Sequence, residues 1–207
     1  VPEKVRLIRS GRSIASIARN GNSVTVTLSG AYPNNNLKTG QRVVISGVAD
    51  DSFNGVYTIA SFDSTNYDDF SFVQYGPNAS SSGGTAGGHY DKLSIWERAY
   101  GSTSGYLTSD NRVAVAECYN DWQSGLDDKV TISGWGVDSS RYVKISVPLT
   151  ERHDGRARDA GVYTGFTIRP TAGNATVIDI KNTANYTQVD GVVVDLNQQW
   201  GLGGIGT

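Results

Sequence analysis

Apolar and polar residues alternate in the first third of the chain, with the period of two that is typical of half-buried β-strands. Over Ser23–Leu28, Val24, Val26 and Leu28 alternate with serine and threonine. Similar stretches, separated by polar turns, predict further strands at Arg42–Ser46, Val56–Ile59 and Phe70–Tyr75. Short antiparallel strands of this kind predict that residues 13–77 form a small β-barrel or β-sandwich.

From residue 112 onward, short apolar runs recur at irregular spacings of 12 to 21 residues, with polar segments between them. The runs are Val113–Ala116, Val130–Ile132, Tyr142–Val147, Tyr163–Ile168, Val177–Ile180 and Val189–Leu196. Few of the segments between them look like hairpin turns, and the late runs are rich in valine and isoleucine. This pattern predicts a short right-handed parallel β-helix, in which branched side chains stack inside successive coils. A second antiparallel sandwich is the alternative.

One segment between these two regions has the spacing of an amphipathic helix. In Tyr90–Tyr100, apolar residues recur at intervals of three and four at Leu93, Trp96 and either Ala99 or Tyr100. Asp91 can cap its N-terminus. We expect this helix to cover the open end of the following sheet.

The serine- and glycine-rich stretch before this helix is predicted to be a flexible linker at a domain boundary. The predicted organisation is an N-terminal arm (1–12), a small β module (13–77), the linker (78–89), and a capping helix with the β-helix region (90–207). The fold class is therefore all-β: a small antiparallel barrel or sandwich, followed by a short right-handed parallel β-helix with one capping α-helix.

Composition supports this fold class and excludes several kinds of function. Valine and isoleucine together number 33 against 9 leucines, which excludes a helical bundle. The net charge of −2 argues against general nucleic-acid binding. No apolar run is long enough to span a membrane. One cysteine and two histidines give no disulfide framework and no recognisable metal spacing, so no cofactor and no metal are predicted.

The first twelve residues carry a local excess of positive charge. They contain one acidic residue, Glu3, and four cations, Lys4, Arg6, Arg9 and Arg12. These residues are candidates for docking on an acidic partner. The alternative is a solvated terminal strand without a docking role.

A second charged segment spans residues 151–161 and contributes Arg152, Arg156 and Arg158 as further docking candidates. Its alternative interpretation is a protruding loop with internal arginine–aspartate pairs, in which His153 makes a loop hydrogen bond. Trp200, in the glycine-rich tail, is the tryptophan most suited to anchor a neighbouring subunit.

Carboxylates give only weak signs of catalysis. The adjacent pairs Asp50–Asp51, Asp68–Asp69 and Asp127–Asp128 lie at predicted turns, and neighbouring residues on a strand point to opposite faces. A glycan-cleaving site needs two carboxylates close together in a groove. The nearest candidates are Asp179, Asp190 and Asp195, which coil stacking could align.

Two sets of segments resemble known proteins. The first resembles a small β module of bacteriophage structural proteins, through Asn22–Leu28, Leu37–Val48, Phe53–Ile59 and Phe70–Phe72. The second resembles the start of β-helix proteins from phage and viral genomes, through Tyr90–Glu97, Val115–Tyr119, Thr131–Trp135, Asp138–Ile145 and Arg152–Ala157. These resemblances imply a fold and a virion origin, but no catalytic residue.

The sequence therefore predicts a non-enzymatic structural protein on the exterior of a bacteriophage particle, made in the host cytoplasm. We expect a surface decoration or cement protein that binds the major capsid protein or another virion protein and forms a trimer, with no nucleic-acid or membrane partner. The first alternative is a tail fibre or tailspike fragment that binds host surface glycan. The second is a glycan-degrading enzyme.

Overall fold

The chain is mostly β and divides into two compact units. The computed structural model describes residues 1–30, 37–104, 107–155, 162–173, 176–197 and 203–206. We call residues 10–89 the barrel unit, and residues 1–9 together with 90–207 the parallel unit. The chain thus begins in the parallel unit, leaves it after Arg9 and returns to it at Tyr90.

Sixteen strands and two helices are formed by the described segments. The strands are β1 (Glu3–Ile8), β2 (Arg12–Asn20), β3 (Ser23–Leu28), β4 (Arg42–Ser46), β5 (Gly55–Phe62), β6 (Asp69–Val73), β7 (Ala79–Ser81), β8 (Thr85–Gly87), β9 (Val113–Cys118), β10 (Val130–Ile132), β11 (Val143–Ser146), β12 (Thr167–Ile168), β13 (Thr176–Ile180), β14 (Thr187–Asp190), β15 (Val193–Val194) and β16 (Gly203–Gly206). The α-helices are α1 (Leu93–Ser104) and the single-turn α2 (Leu107–Asp110). Short 3-10 helices span Asp51–Phe53, Leu149–Glu151 and Asn182–Ala184. None of the helices in these segments is long and apolar enough to cross a membrane.

The barrel unit is a closed antiparallel barrel of six strands. The strands pair in the order β3-β6-β5-β4-β8-β2, and the pairing of β2 with β3 closes the ring. Strand β7 adds to β2 outside the ring. Inward-facing residues form cross-strand pairs, as where Val24 meets Phe72 and Val26 meets Phe70, and all four are buried. The alternation in the sequence is therefore that of a barrel rather than a sandwich.

The predicted linker is part of this barrel, so its interpretation as a flexible linker was wrong. Strand β8 lies within it, between β4 and β2. Its glycines allow close backbone contact: a Cβ on Gly84 would lie 2.4 Å from the Ser46 carbonyl oxygen, and one on Gly87 would lie 2.6 Å from the Gly11 Cα. Gly84 also has a φ of +75°, which other residues rarely adopt. Glycine is therefore used here for packing, and not for mobility.

All strand pairs in the described part of the parallel unit are parallel. They form three sheets, with the strand orders β1-β9-β11-β14, β10-β13-β16 and β12-β15. The second pass of the chain runs through β11, β12 and β13, and the third runs through β14, β15 and β16 in the same sheet order. In the first pass, between β9 and β10, Leu126 bridges to Ile168 of β12. The alternative of a second antiparallel sandwich was therefore wrong.

The N-terminal residues belong to this parallel unit and do not form an arm. Strand β1 pairs with β9 over six residues, from Glu3 opposite Val113 to Ile8 opposite Cys118. Leu7 and Ile8 are buried. Their burial requires residues 3–8 to join a sheet, although the excess of cations suggested a free segment. Residues 3–8 are therefore a terminal strand, as the alternative had it, but a partly buried strand and not a solvated one.

The core of the parallel unit combines residues from all three sheets with the apolar face of α1. Ala116 and Ile145, in register on neighbouring strands, are fully buried in it, as is Ile178. From α1, the predicted apolar face contributes Leu93, Trp96 and Tyr100, which confirms that prediction. The Trp96 ring lies 5.6 Å from the ring of Trp135.

The N-terminus of α1 is capped by a residue distant in sequence. Asp128 accepts hydrogen bonds from the Ser94 backbone nitrogen at 3.0 Å and from the Ser94 hydroxyl at 2.6 Å. The predicted cap, Asp91, is exposed and lies two residues before the first helical residue, Leu93, which is one residue too early for the N-cap position. Because Asp128 itself is buried, its carboxylate depends on these donors.

Asp128→Ala should lower the free energy of unfolding of the parallel unit by about 1–2 kcal/mol, because it removes a cap from buried helical donors. Asp91→Ala is the matched control and should change it by less than about 0.5 kcal/mol. All four tryptophans lie in the parallel unit, so urea unfolding followed by tryptophan fluorescence reports on this unit selectively. Equal effects of the two substitutions would show that Asp128 is not the cap.

Cys118 should be inert to thiol reagents in the native protein. It is fully buried on β9, and burial, followed by the charges of Glu117 and Asp128, raises the pKa of its thiol well above the usual value. We expect labelling by a chromogenic disulfide to proceed only as the parallel unit unfolds in urea, with the same midpoint as tryptophan fluorescence. Rapid labelling without denaturant would contradict the buried position.

Candidate functional site

Two of the predicted docking residues lie together at one place in the parallel unit. Lys4 and Arg6 alternate along β1 and therefore project from the same face of the strand. Both lie over the ring of Tyr100, on α1: the Lys4 Nζ is 5.4 Å and the Arg6 Cζ is 5.7 Å from the ring centroid. The structure thus gives these two cations a common, ordered position.

A third cation, which the sequence analysis did not identify, lies beside Lys4 and Arg6. The Cζ atom of Arg112, the residue before β9, lies 5.8 Å from the centroid of the same ring. Tyr100 is itself held in place by aromatic packing, with its ring 6.4 Å from Trp135. We call Lys4, Arg6, Arg112 and Tyr100 the cationic cluster.

The charges of the cationic cluster are only partly balanced. Arg112 forms an ion pair with Asp110. Lys4 and Arg6, which are half-buried, make no ion pair with any residue that the structure describes. A cation over an aromatic ring gains only about 0.5–1 kcal/mol where water still reaches it. Three like charges around one ring repel one another, so an anionic group placed here would be attracted by all three.

Arg9, by contrast, is not a docking residue. Its side chain is 0% exposed and forms a two-point ion pair with Asp121, with Nε–Oδ2 at 2.9 Å and Nη2–Oδ1 at 2.8 Å. Its Cζ lies 4.2 Å from the centroid of the Tyr119 ring. Burial alone would lower the pKa of Arg9, but the charge and hydrogen bonds of Asp121 outweigh burial and raise it. Arg9 therefore has an internal, structural partner.

The surroundings of this ion pair are also polar and buried. Glu151 is 1% exposed and accepts a hydrogen bond from the backbone nitrogen of Asn120 at 3.2 Å. The Asn120 side chain donates to the Tyr163 carbonyl oxygen at 3.2 Å. These bonds connect the segment after β9 with the next pass of the chain, and they explain why charged residues persist in this part of the core.

The remaining docking candidates are held within the fold or lie outside the described residues. Arg12 is 8% exposed, at the start of β2 in the barrel unit. The Arg152 Nε donates to the Val147 carbonyl oxygen at 3.0 Å, and its Nη2 pairs with Asp190. Arg12 is thus buried at the start of a barrel strand, and Arg152 is paired within the fold. Arg156, Arg158 and Trp200 lie outside the residues that the structure describes.

The three candidate catalytic carboxylates are not brought together. Asp179 lies on β13, Asp190 on β14 and Asp195 directly after β15, and these strands belong to three different sheets. Coil stacking aligns residues within one sheet, so it separates these three. Each also has a partner: Lys181 for Asp179, Arg152 for Asp190, and Tyr163 with Arg169 for Asp195.

Asp127, in one of the acidic turns, and the loop histidine His153 make structural hydrogen bonds. Asp127 accepts hydrogen bonds from the backbone nitrogen and hydroxyl of Thr171, both at 2.8 Å, and these bonds lower its pKa. The Nδ1 of His153 accepts a hydrogen bond from the Gly155 backbone nitrogen at 2.9 Å, as its structural interpretation predicted. Across the described segments, no three histidine, cysteine or carboxylate residues are grouped as metal ligands would be.

Comparison with protein-family models, with curated proteins and with solved structures finds no match for this chain.

Arg9→Leu should lower the free energy of unfolding of the parallel unit by about 3–5 kcal/mol, because it leaves the Asp121 carboxylate buried without its cation. Arg6→Leu, on β1 just before Arg9 but without an ion pair in the described structure, should cost about 1 kcal/mol or less. Urea unfolding followed by tryptophan fluorescence measures both.

The double substitution Arg9→Leu/Asp121→Leu provides the second test. We expect it to recover part of the loss, since the Asp121 carboxylate is then no longer buried without its cation, while the nearby Glu151 still loses the charge of Arg9. Equal destabilisation by Arg9→Leu and Arg6→Leu would contradict the assignment of a buried, structural ion pair to Arg9.

Proposed function

We propose that this chain is a non-enzymatic structural protein of a bacteriophage particle, and that it binds the outer surface of the capsid as a decoration or cement protein. The observation that carries the proposal is the cationic cluster, where Lys4 and Arg6 have no counter-ion among the described residues. The chain as a whole has a net charge of −2. A positive surface on such a chain favours docking on an acidic face of another protein.

The architecture of the parallel unit supports a structural role. We propose that it is the start of a right-handed parallel β-helix, because the second and third passes visit the same three sheets in the same order. Right-handedness follows from the strong preference of parallel crossovers for that hand. Helix α1 packs on the same core and serves as the cap at the first pass. Stacked coils of this kind give a rigid element that is suited to a particle surface.

The positions and partners of the three candidate carboxylates support a non-enzymatic function. Asp179, Asp190 and Asp195 are paired with neighbouring side chains and lie in three sheets, so they do not form a catalytic pair. The resemblance of the sequence to phage structural proteins supports the particle context, and with it the virion exterior as the location. The resemblance also supports the major capsid protein as the partner, rather than nucleic acid or a membrane.

The third pass supports self-association. In the described residues, β14, β15 and β16 each pair on one side only. Ile205 on β16 is 51% exposed. Edge strands with unpaired backbone groups favour contact with another chain. We propose that copies of the chain associate as a trimer on the capsid.

Cryo-electron microscopy of the particle that carries this protein tests its location. We expect density for the chain at repeated positions on the capsid lattice, with the cationic cluster against the major capsid protein. Density at the tail would contradict the proposal and would favour the tail-fibre alternative. Absence of the chain from purified particles, by mass spectrometry, would contradict both.

A binding assay tests the cationic cluster itself. Capsids that lack this protein are mixed with purified chain and sedimented. Lys4→Glu/Arg6→Glu should weaken binding by about 100-fold or more, because like charges then face each other in the interface. Lys38→Glu/Lys181→Glu is the matched control: it makes the same change in net charge at two exposed lysines and should leave binding within about threefold. Equal loss in the two variants would show that net charge, and not the cationic cluster, governs docking.

A further inference from the structure

A small pocket lies on the parallel unit where the chain approaches β11 and β14. It has a volume of about 190 Å³ and is lined by Ser139, Tyr142, Asn185, Tyr186, Thr187 and Gln188. We call these six residues the tyrosine pocket. This volume is well above that needed for a single water molecule, and it suits one small ring.

The two tyrosines occupy equivalent positions on successive passes. Val143 and Thr187 are register partners in the β11–β14 ladder, and each directly follows one of the tyrosines. The Val143 backbone nitrogen donates to the Tyr186 carbonyl oxygen at 3.1 Å, which extends the ladder to the tyrosines. Neighbouring strands in a sheet are about 4.8 Å apart, so the backbones of Tyr142 and Tyr186 have about this spacing. Tyr186 is 45% exposed, although an aromatic side chain gains most from burial.

The polar groups of the tyrosine pocket are available to a ligand. Asn185 and Gln188 are exposed, and their amides each present a donor and an acceptor. In the part of the chain that the structure describes, neither amide has a hydrogen-bond partner, and the same holds for the Ser139 and Tyr186 hydroxyls. The Thr187 hydroxyl instead donates to the Ala184 carbonyl oxygen at 2.6 Å. Several hydrogen-bonding groups thus surround one small space beside aromatic rings.

The charges close to the tyrosine pocket neutralise one another. Arg141 forms an ion pair with Asp138. Hydrogen bonds from Arg141, followed by that from the Ser140 backbone nitrogen, lower the pKa of Asp138 to about 2. Lys144, the register partner of Gln188, lies 3.8 Å from a carboxylate oxygen of Glu3. None of these charged residues lines the tyrosine pocket, so a ligand with a net charge gains no direct ion pair there.

We propose that the tyrosine pocket binds one ring of a neutral saccharide. A sugar ring presents an apolar face of C–H groups and a rim of hydroxyls, which matches an aromatic side chain flanked by amides and hydroxyls. The neutral lining favours such a ring over a phosphorylated or acidic ligand. This site is separate in sequence and in residues from the cationic cluster, so the protein would hold a particle surface through one and a glycan through the other.

Binding of the intact chain to an array of neutral and acidic oligosaccharides tests the proposal. We expect binding to at least one neutral oligosaccharide, which is then measured in solution by isothermal titration calorimetry. Tyr142→Ala and Tyr186→Ala should each weaken this binding by about tenfold, the effect of losing one aromatic contact. Tyr75→Ala is the matched control, because Tyr75 is 81% exposed and lies in the barrel unit, and it should leave binding unchanged.

A further variant separates loss of binding from loss of folding. Gln188 is exposed, so Gln188→Ala should weaken saccharide binding by about threefold to tenfold while the urea midpoint followed by tryptophan fluorescence stays unchanged. Binding to acidic oligosaccharides only, binding to none, or neutral binding that survives Tyr142→Ala/Tyr186→Ala would each overturn the proposal.

The result of the saccharide-binding test does not depend on whether the protein docks on a capsid. The two tyrosine variants should sediment with capsids as the unaltered chain does, and Lys4→Glu/Arg6→Glu should retain saccharide binding. Failure of one proposal is therefore distinguishable from failure of the other.

Discussion

The pairing of β1 with β9 is the constraint on which the organisation of the chain depends. It joins Ile8 to Cys118, across more than one hundred residues of sequence. At the end of β1, the Arg9 backbone nitrogen donates to the Tyr90 carbonyl oxygen at 3.0 Å, so the chain leaves the parallel unit beside the point at which it returns. The buried Arg9–Asp121 ion pair fixes this position further, because a displaced β1 would separate two buried opposite charges. The barrel unit can therefore be inserted without disturbing the sheet.

The same pairing creates the cationic cluster. Alternate residues of β1 face α1, so Lys4 and Arg6 are brought over Tyr100 only when β1 lies in the sheet. Arg112 reaches the same ring because it precedes β9, the partner strand. Had residues 1–12 been a free arm, their charges would have been spread over many conformations. Fixed on one ring, they form a surface with a defined shape, which lowers the entropic cost of binding a partner.

Several other polar side chains hold the passes of the parallel unit together. Asp127 binds Thr171, and Arg152 binds Asp190, in each case between successive passes of the chain. In a stack of short strands, loops carry much of the chain, and their backbone and side-chain polar groups need partners. Among the described residues, Lys4 and Arg6 of the cationic cluster have no ion pair, and Asn185 and Gln188 of the tyrosine pocket have no hydrogen-bond partner.

The sequence by itself determined those local elements that have a clear alternation or helical spacing of apolar residues. The strands Ser23–Leu28 and Val130–Ile132 were predicted with the bounds that the structure shows. The residues of the apolar face of α1 were also predicted correctly. Only the tertiary structure decided which distant residues meet. Asp128 rather than Asp91 caps α1, and Arg9 is buried in an ion pair while Lys4 and Arg6 have no ion pair among the described residues. The charge of residues 1–12 is the same whether they form a free arm or a strand, and the composition of residues 78–89 is the same whether they are flexible or closely packed. Which of the two structures forms depends on the partner strands that folding brings to these segments.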